Sequence, residues 1–225
     1  MARSLAVEDV ARIKGKIAQS LQSHAAMSPA KTNEVLPAKN LQGKLYEAYV
    51  LSLIITNLHL QEGFDIRMIN SGAFTFKQKG APINRSYPYF EVRRGSQLEG
   101  EIFTDTEFSG LSSMGKAPSS GDYHELDIAM FVPGQTGRPM MNTILLAAEC
   151  KATAFEKSTF RELLGFRREM AFLSGFRSTF FLKWPTDQTP SNPASVHLCY
   201  STDKAINKYR LNALYFGILL YHEVM

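Results

Sequence analysis

Two short apolar stretches near the middle of the chain carry carboxylates where a buried strand would not keep them. The first reads Tyr123-His124-Glu125-Leu126-Asp127-Ile128-Ala129-Met130-Phe131-Val132, and the second Thr143-Ile144-Leu145-Leu146-Ala147-Ala148-Glu149-Cys150-Lys151. Side chains alternate along a strand, so Glu125 and Asp127 share one face and Glu149 and Lys151 share another. Leu126, Ile128, Ala148 and Cys150 then turn the opposite way, into a core. The connection Pro133-Gly134-Gln135-Thr136-Gly137-Arg138-Pro139 is rich in turn formers and suits a hairpin. Pairing of the two strands brings Asp127, Glu149 and Lys151 to one spot. Carboxylates and a lysine in apolar surroundings are costly to bury unless they bind a metal or take part in chemistry. The bland account is two solvent-facing edge strands with Glu149 and Lys151 as a surface ion pair, but strands this apolar seldom lie at an exposed edge.

The elements that must position these residues are legible on both sides. Residues 5–24 form an amphipathic pattern, with Leu5, Val7, Val10, Ile13, Ile17 and Leu21 on one side. A polar, proline-marked connector follows, and residues 1–40 are expected to be a helical arm that packs on the body or on a second copy. The body, residues 41–225, opens with a long helix over 41–60, ended by Gly63. Short strands are expected at 65–70, 73–77, 87–93 and 101–108, then a loop of small polar residues over 109–122. After Lys151 the pattern predicts a helix over 155–173, strands at 178–183 and 196–200, and a closing helix over 204–222. This order indicates a mixed α/β domain.

Bulk properties narrow the options. The 225 residues are 44% hydrophobic and 20% charged, with a net charge of +4, a mild lean toward polyanionic partners. No apolar run approaches a membrane span, and Met1 to Asp9 lacks the apolar core of a secretory signal, so a cytoplasmic protein is expected. Cys150 and Cys199 sit inside apolar strand patterns and read as small buried thiols rather than a disulfide or zinc site. A phosphate loop, a dinucleotide-binding glycine fingerprint and zinc spacing are all missing from the sequence.

Asp127 followed downstream by Glu149-Cys150-Lys151 resembles the PD-(D/E)xK pattern of restriction enzymes and junction resolvases. Gly43-Lys44-Leu45-Tyr46-Glu47 before an apolar helix resembles the opening helix of many members, whose glutamate reaches toward the metal. The resemblance spans roughly residues 41–200, nearest to prokaryotic restriction or defence nucleases. Leu126 stands where the motif has its proline, and the strand-rich stretch before Phe108 is longer than the minimal fold requires.

The resemblance implies a restriction-endonuclease-like mixed sheet flanked by helices and a metal-dependent endonuclease acting on DNA. Asp127 and Glu149 would hold Mg²⁺ or Mn²⁺ through hard carboxylate oxygens, with the Cys150 carbonyl as a further ligand and Glu125 as a rival one. Lys151 would orient the attacking water or neutralise the phosphate, and Glu47 would support the site. Cutting both strands of a duplex calls for two sites, so a homodimer or larger assembly is expected. Lys77, Lys79, Arg93 and Arg94, interleaved with Phe74, Phe76, Tyr87, Tyr89 and Phe90, suit a phosphate backbone, and Arg161 lies on the helix that borders substrate in the family. A sheet with an aromatic inner face and ordinary surface ion pairs would use the same residues. Two other functions remain open at this level: a non-catalytic module that keeps the fold, and a nuclease directed at RNA or single strands.

Overall fold

A computed structural model describes residues 6–35, 42–70 and 80–225. At its centre lies a seven-stranded sheet in the order β1-β2-β3-β4-β5-β8-β9. The strands are β1 (Asp65–Ile69), β2 (Tyr89–Arg94), β3 (Gln97–Ser109), β4 (Tyr123–Phe131), β5 (Ile144–Lys151), β8 (Val196–Ser201) and β9 (Ile218–His222). Neighbours from β1 to β5 are antiparallel, whereas β8 and β9 continue parallel to β5. A parallel step needs a crossover. Between β5 and β8 the chain runs through α4 (Lys157–Met170) and a separate antiparallel ribbon of β6 (Phe172–Ser178) and β7 (Gln188–Asn192).

One face of the sheet is covered by α3 (Gln42–Leu60), which is in turn covered by α1 (Val7–His24). Sandwiched between sheet and helix, α3 is apolar on nearly every side, and Leu45, Tyr46, Val50, Leu51, Ile54, Ile55 and Leu58 are all buried. Each such side chain contributes about 1.5–3 kcal/mol on burial. On α1 the stripe of Ile13, Ile17 and Leu21 repeats at four-residue spacing and is buried in the same core. Ser20 Oγ fixes the helix pair, lying 3.1 Å from the Ser52 carbonyl and 2.7 Å from Thr56 Oγ1. The short α2 (Pro29–Val35) follows α1. On the opposite face Phe103, Phe108, Leu126 and Phe131 are buried with Met170 of α4, and beside them Phe160 and Leu163 of α4 pack with Cys199, Ile206 and Leu220. No helix among the described residues is long and apolar enough to cross a membrane.

Most of the elements read from the sequence are present, and the strand expected at 73–77 lies outside the described residues. Three features differ. Leu126 faces the second core with Phe108 and Phe131, not the side of Ile128 and Ala148. The segment 178–183 is not a strand, because the backbone N–H groups of Leu182, Lys183 and Trp184 all donate to the buried Glu62 carboxylate instead of a ladder. The closing helix expected over 204–222 is a 3-10 turn (Lys204–Tyr209), a short α5 (Arg210–Tyr215) and the strand β9. Gly217 makes the break: its φ is +69°, and a Cβ there would lie 2.5 Å from Thr189 Oγ1. Beyond it Ile218 and Leu220 are buried beside β8. The small-residue loop expected over 109–122 is present and is held by Asp122, which accepts hydrogen bonds from Lys116 Nζ, Ser119 N–H and Ser119 Oγ, each at 2.8 Å.

Candidate metal centre

Three carboxylates converge where β3 and β4 pass beneath α3. Thr104 pairs with Ile128 and Thr106 with Leu126, so Asp105 lies opposite Asp127 across the ladder. At this point both strands change the face they present. Ile102 and Ile128 pack on the α3 side, while Phe108 and Leu126, an even number of residues away, pack on the other. The change of phase on β3 coincides with Asp105, whose φ is +47°, a left-handed conformation that aspartate tolerates better than most residues. Both aspartates thereby reach toward α3, where Glu47 meets them. Ligand oxygens of Glu47, Asp105 and Asp127 lie within 4.8 Å of one another; Glu47 and Asp105 are buried, and Asp127 is partly exposed.

Neighbouring groups fix these side chains. Asp127 Oδ2 accepts the backbone N–H of Cys150 at 2.7 Å, just beyond the last paired residues of β4 and β5. Lys44, one turn before Glu47 on α3, donates from Nζ to Glu47 Oε2 at 2.7 Å and to Asp105 Oδ1 at 2.6 Å. Glu149 extends the β4–β5 register opposite Asp127 and is 3% exposed. Its Oε2 accepts from Lys151 Nζ at 3.1 Å, and its Oε1 is buried with no hydrogen-bond partner among the described residues. Lys151 Nζ also lies 3.4 Å from Glu162 Oε1 on α4. Lys44 thus ties the cluster to α3 and Lys151 ties it to α4, with Asp127 between them.

So many carboxylates out of water resist ionising together. Burial, reinforced by the charge of Asp127, pushes Glu47 up to about 8 despite its bond to Lys44. Burial raises Asp105 to about 6 against the opposing pull of Lys44. Glu149 is pushed up to about 8 by burial and then by Asp127, and Asp127 is itself raised by burial. For the two lysines burial alone would lower the pKa, but it is outweighed. Hydrogen bonds to Asp105 and Glu47 raise Lys44, and the charges of Glu149, Asp127 and Glu162 raise Lys151, so both remain ammonium groups.

The donor set fits a hard cation: carboxylate oxygens only, one of them on the partly exposed Asp127, and an orphaned buried oxygen on Glu149 close by. The acidic triad can hold a metal ion. Of the residues singled out in the sequence, Glu47 and Asp127 are in the triad, and Glu149 and Lys151 adjoin it. Cys150 contributes its N–H, and its thiol is pushed far up by burial and is inert. Glu125 is half-buried outside the triad, near enough for its charge to raise Asp105 and Asp127.

Arg161 is exposed on α4, next to the Glu162 that meets Lys151. Two other basic candidates, Arg93 and Arg94, are not brought to the site. Arg93 and Arg94 pair with Leu98 and Gln97, at the far end of β3 from Asp105, roughly 20 Å along the strand. Arg93 is bonded to Glu91, and Arg94 to the Glu62 carbonyl with its guanidinium 4.5 Å over the Phe64 ring. Lys77 and Lys79 lie outside the described residues. Tyr89 and Phe90 are core residues.

Asp105 and Lys44 went unassigned in the sequence. A carboxylate in the Phe103–Phe108 stretch and a lysine one turn before Glu47 were the available signals, but only the fold shows that they meet. Fold and site together define a mixed α/β protein, its seven-stranded sheet flanked by helices, with a buried acidic centre able to hold a metal ion. No family model matches the chain, and no curated protein or solved structure matches it either.

Proposed function

We propose that this chain is a divalent-metal-dependent endonuclease of the PD-(D/E)xK kind, hydrolysing phosphodiester bonds in DNA with Mg²⁺ or Mn²⁺. The observation that carries the reading is the meeting of Glu47, Asp105 and Asp127 within 4.8 Å, beside Glu149 and Lys151 on the next strand. The mixed sheet, antiparallel through β5 and parallel beyond it, is compatible with a restriction-endonuclease-like core.

Asp127, Asp105 and Glu47 would hold the ion, and Glu149 has an oxygen to spare for it or for a water it orders. When bound, a divalent ion supplies a Lewis acid for the phosphoryl oxygens and lowers the pKa of water. Lys151, which the charges of Glu149, Asp127 and Glu162 favour as an ammonium in the metal-free protein, would donate to the phosphate or orient the attacking water. Among the described basic candidates, Arg161, exposed beside this lysine's partner Glu162, is the one placed near the site for a flanking phosphate. A homodimer is the form expected to cut both strands of a duplex. The buried thiols of Cys150 and Cys199 suit a reducing cytoplasm, and restriction or phage defence is the biological role that the family resemblance favours.

Incubation with duplex plasmid, single-stranded DNA and RNA in Mg²⁺ or Mn²⁺ tests the proposal. Metal-dependent cutting of the duplex, abolished by chelator, is the expected result. Preference for single strands or RNA would change the substrate class. No cutting of any of the three would favour a non-catalytic binding or assembly module.

A further inference from the structure

A cluster of buried carboxylates needs positive charge before any metal arrives, and here the chain supplies it. Lys44 Nζ is bonded to Glu47 and Asp105, two of the three candidate ligands, at 2.7 and 2.6 Å. An ammonium and a divalent ion compete for the same carboxylate lone pairs. Building on the metal-site reading above, we propose that Lys44 is the resident counter-cation of the acidic centre. It occupies ligand oxygens of Glu47 and Asp105 in the metal-free protein and is displaced from them when a divalent ion binds.

The surroundings support an exchange of this kind. Four carboxylates, those of Glu47, Asp105, Asp127 and Glu149, are set against the ammonium groups of Lys44 and Lys151. The lone oxygen of Glu149 is acceptor capacity that neither lysine fills. The Lys44 side chain is 17% exposed, whereas that of Asp105 is fully buried, so the lysine has a way out on a flexible stem and the aspartate does not. Lys44 therefore lets the site fold without metal and weakens metal binding by the free energy of its own two contacts.

Mn²⁺ titration followed by calorimetry, with no substrate present, tests this on the full chain. Lys44→Met is expected to bind Mn²⁺ about tenfold more tightly than the native protein, and to gain more thermal stability from the ion. Lys44→Arg, which keeps the charge, should stay near native affinity. Equal or weaker binding by Lys44→Met would overturn the proposal, as would a gain of the same size in Lys44→Arg, which would assign the effect to packing. Should Lys44→Met fail to fold, Lys44→Gln offers a neutral hydrogen-bonding group and the same readout. If Mn²⁺ binds the native protein and Lys44→Met alike, only the role of Lys44 falls. If neither binds it, the metal centre itself falls as well.

Discussion

Asp105 and Asp127 face one another across adjacent antiparallel strands at the point where both strands change the face they present to the core. In a regular ladder with one uninterrupted phase, the two carboxylates would turn toward Phe103, Ala129 and Phe131, away from α3. The left-handed backbone at Asp105 coincides with the change and leaves both side chains beneath Glu47. The geometry of one residue therefore assembles the acidic triad.

Asp105→Asn separates this backbone role from charge. Asparagine tolerates the left-handed region as well as aspartate does, so the fold should hold. Mn²⁺ affinity should fall by about tenfold or more, because one anionic oxygen ligand is lost. Asp105→Ala should lose affinity and also about 1 kcal/mol or more of stability, since alanine is strained at φ +47°. Calorimetric titration and chemical unfolding of both variants measure the two effects separately.

Much of the site could be read from the chain, and what could not follows from the same phase change. Asp127, Glu149 and Lys151 stood out because charge in a strongly apolar strand is anomalous on local pattern alone. Strict alternation turned Ile128, Ala148 and Cys150 into a core, where they lie, but it put Leu126 in that same core and Asp127 on the opposite face, because it takes no account of a left-handed residue on the neighbouring strand. Asp105 was missed for the same reason: its role depends on a residue across the ladder. At the C-terminus, the apolar run from Leu211 to Tyr221 fits a helix by composition. Gly217, with Thr189, Arg167 and Pro190 crowded against it, ends the helix and turns the chain into β9. That crowding is tertiary and leaves no trace in local sequence.

The raised carboxylates tie stability to pH. Glu47 and Glu149 have folded-state pKa values of about 8 against an ordinary 4.5. The folded state therefore binds protons more tightly, and stability present at low pH is lost as pH rises toward 8. Metal-free protein should lose about 3 kcal/mol between pH 6.5 and 8, roughly half from each glutamate. Saturating Mn²⁺ should flatten or reverse the slope, because the ion binds the ionised carboxylates. Urea unfolding at several pH values, with and without Mn²⁺, checks both slopes.

His197 acts in the opposite direction below that window. It is fully buried with neither ring nitrogen bonded among the described residues, and burial, then the charges of Arg167 and Lys151, hold its pKa at about 3. A histidine kept neutral in the fold contributes stability above its ordinary pKa of 6.5 and loses it as pH falls toward 3. His197→Leu removes two unsatisfied polar atoms and should stabilise the protein by about 1 kcal/mol near neutral pH. The gain should grow below pH 6.5. Thermal unfolding of the variant at pH 7.5 and pH 5.5 reads the difference.

Glu62 anchors the segment that replaced an expected strand. Its carboxylate takes the N–H groups of Leu182, Lys183 and Trp184, and its own carbonyl accepts from Arg94. Glu62→Ala leaves three backbone donors without that acceptor and should cost about 2–3 kcal/mol. Glu62→Gln, which keeps a carbonyl oxygen in place, should cost less. Neither change should alter Mn²⁺ affinity in the folded protein, and calorimetry beside denaturant unfolding tests that separation.

The measurement closest to the central claim is cleavage of supercoiled plasmid in Mg²⁺ or Mn²⁺ by the native protein, Asp127→Ala and Lys151→Ala, each shown to be folded. The account predicts nicking or linearisation by the native protein, and loss of about two orders of magnitude or more in either variant, as expected when a metal ligand or a transition-state charge is removed. Cutting that persists undiminished in both variants would contradict it, because the chemistry would then lie away from the centre where β3, β4 and β5 meet α3.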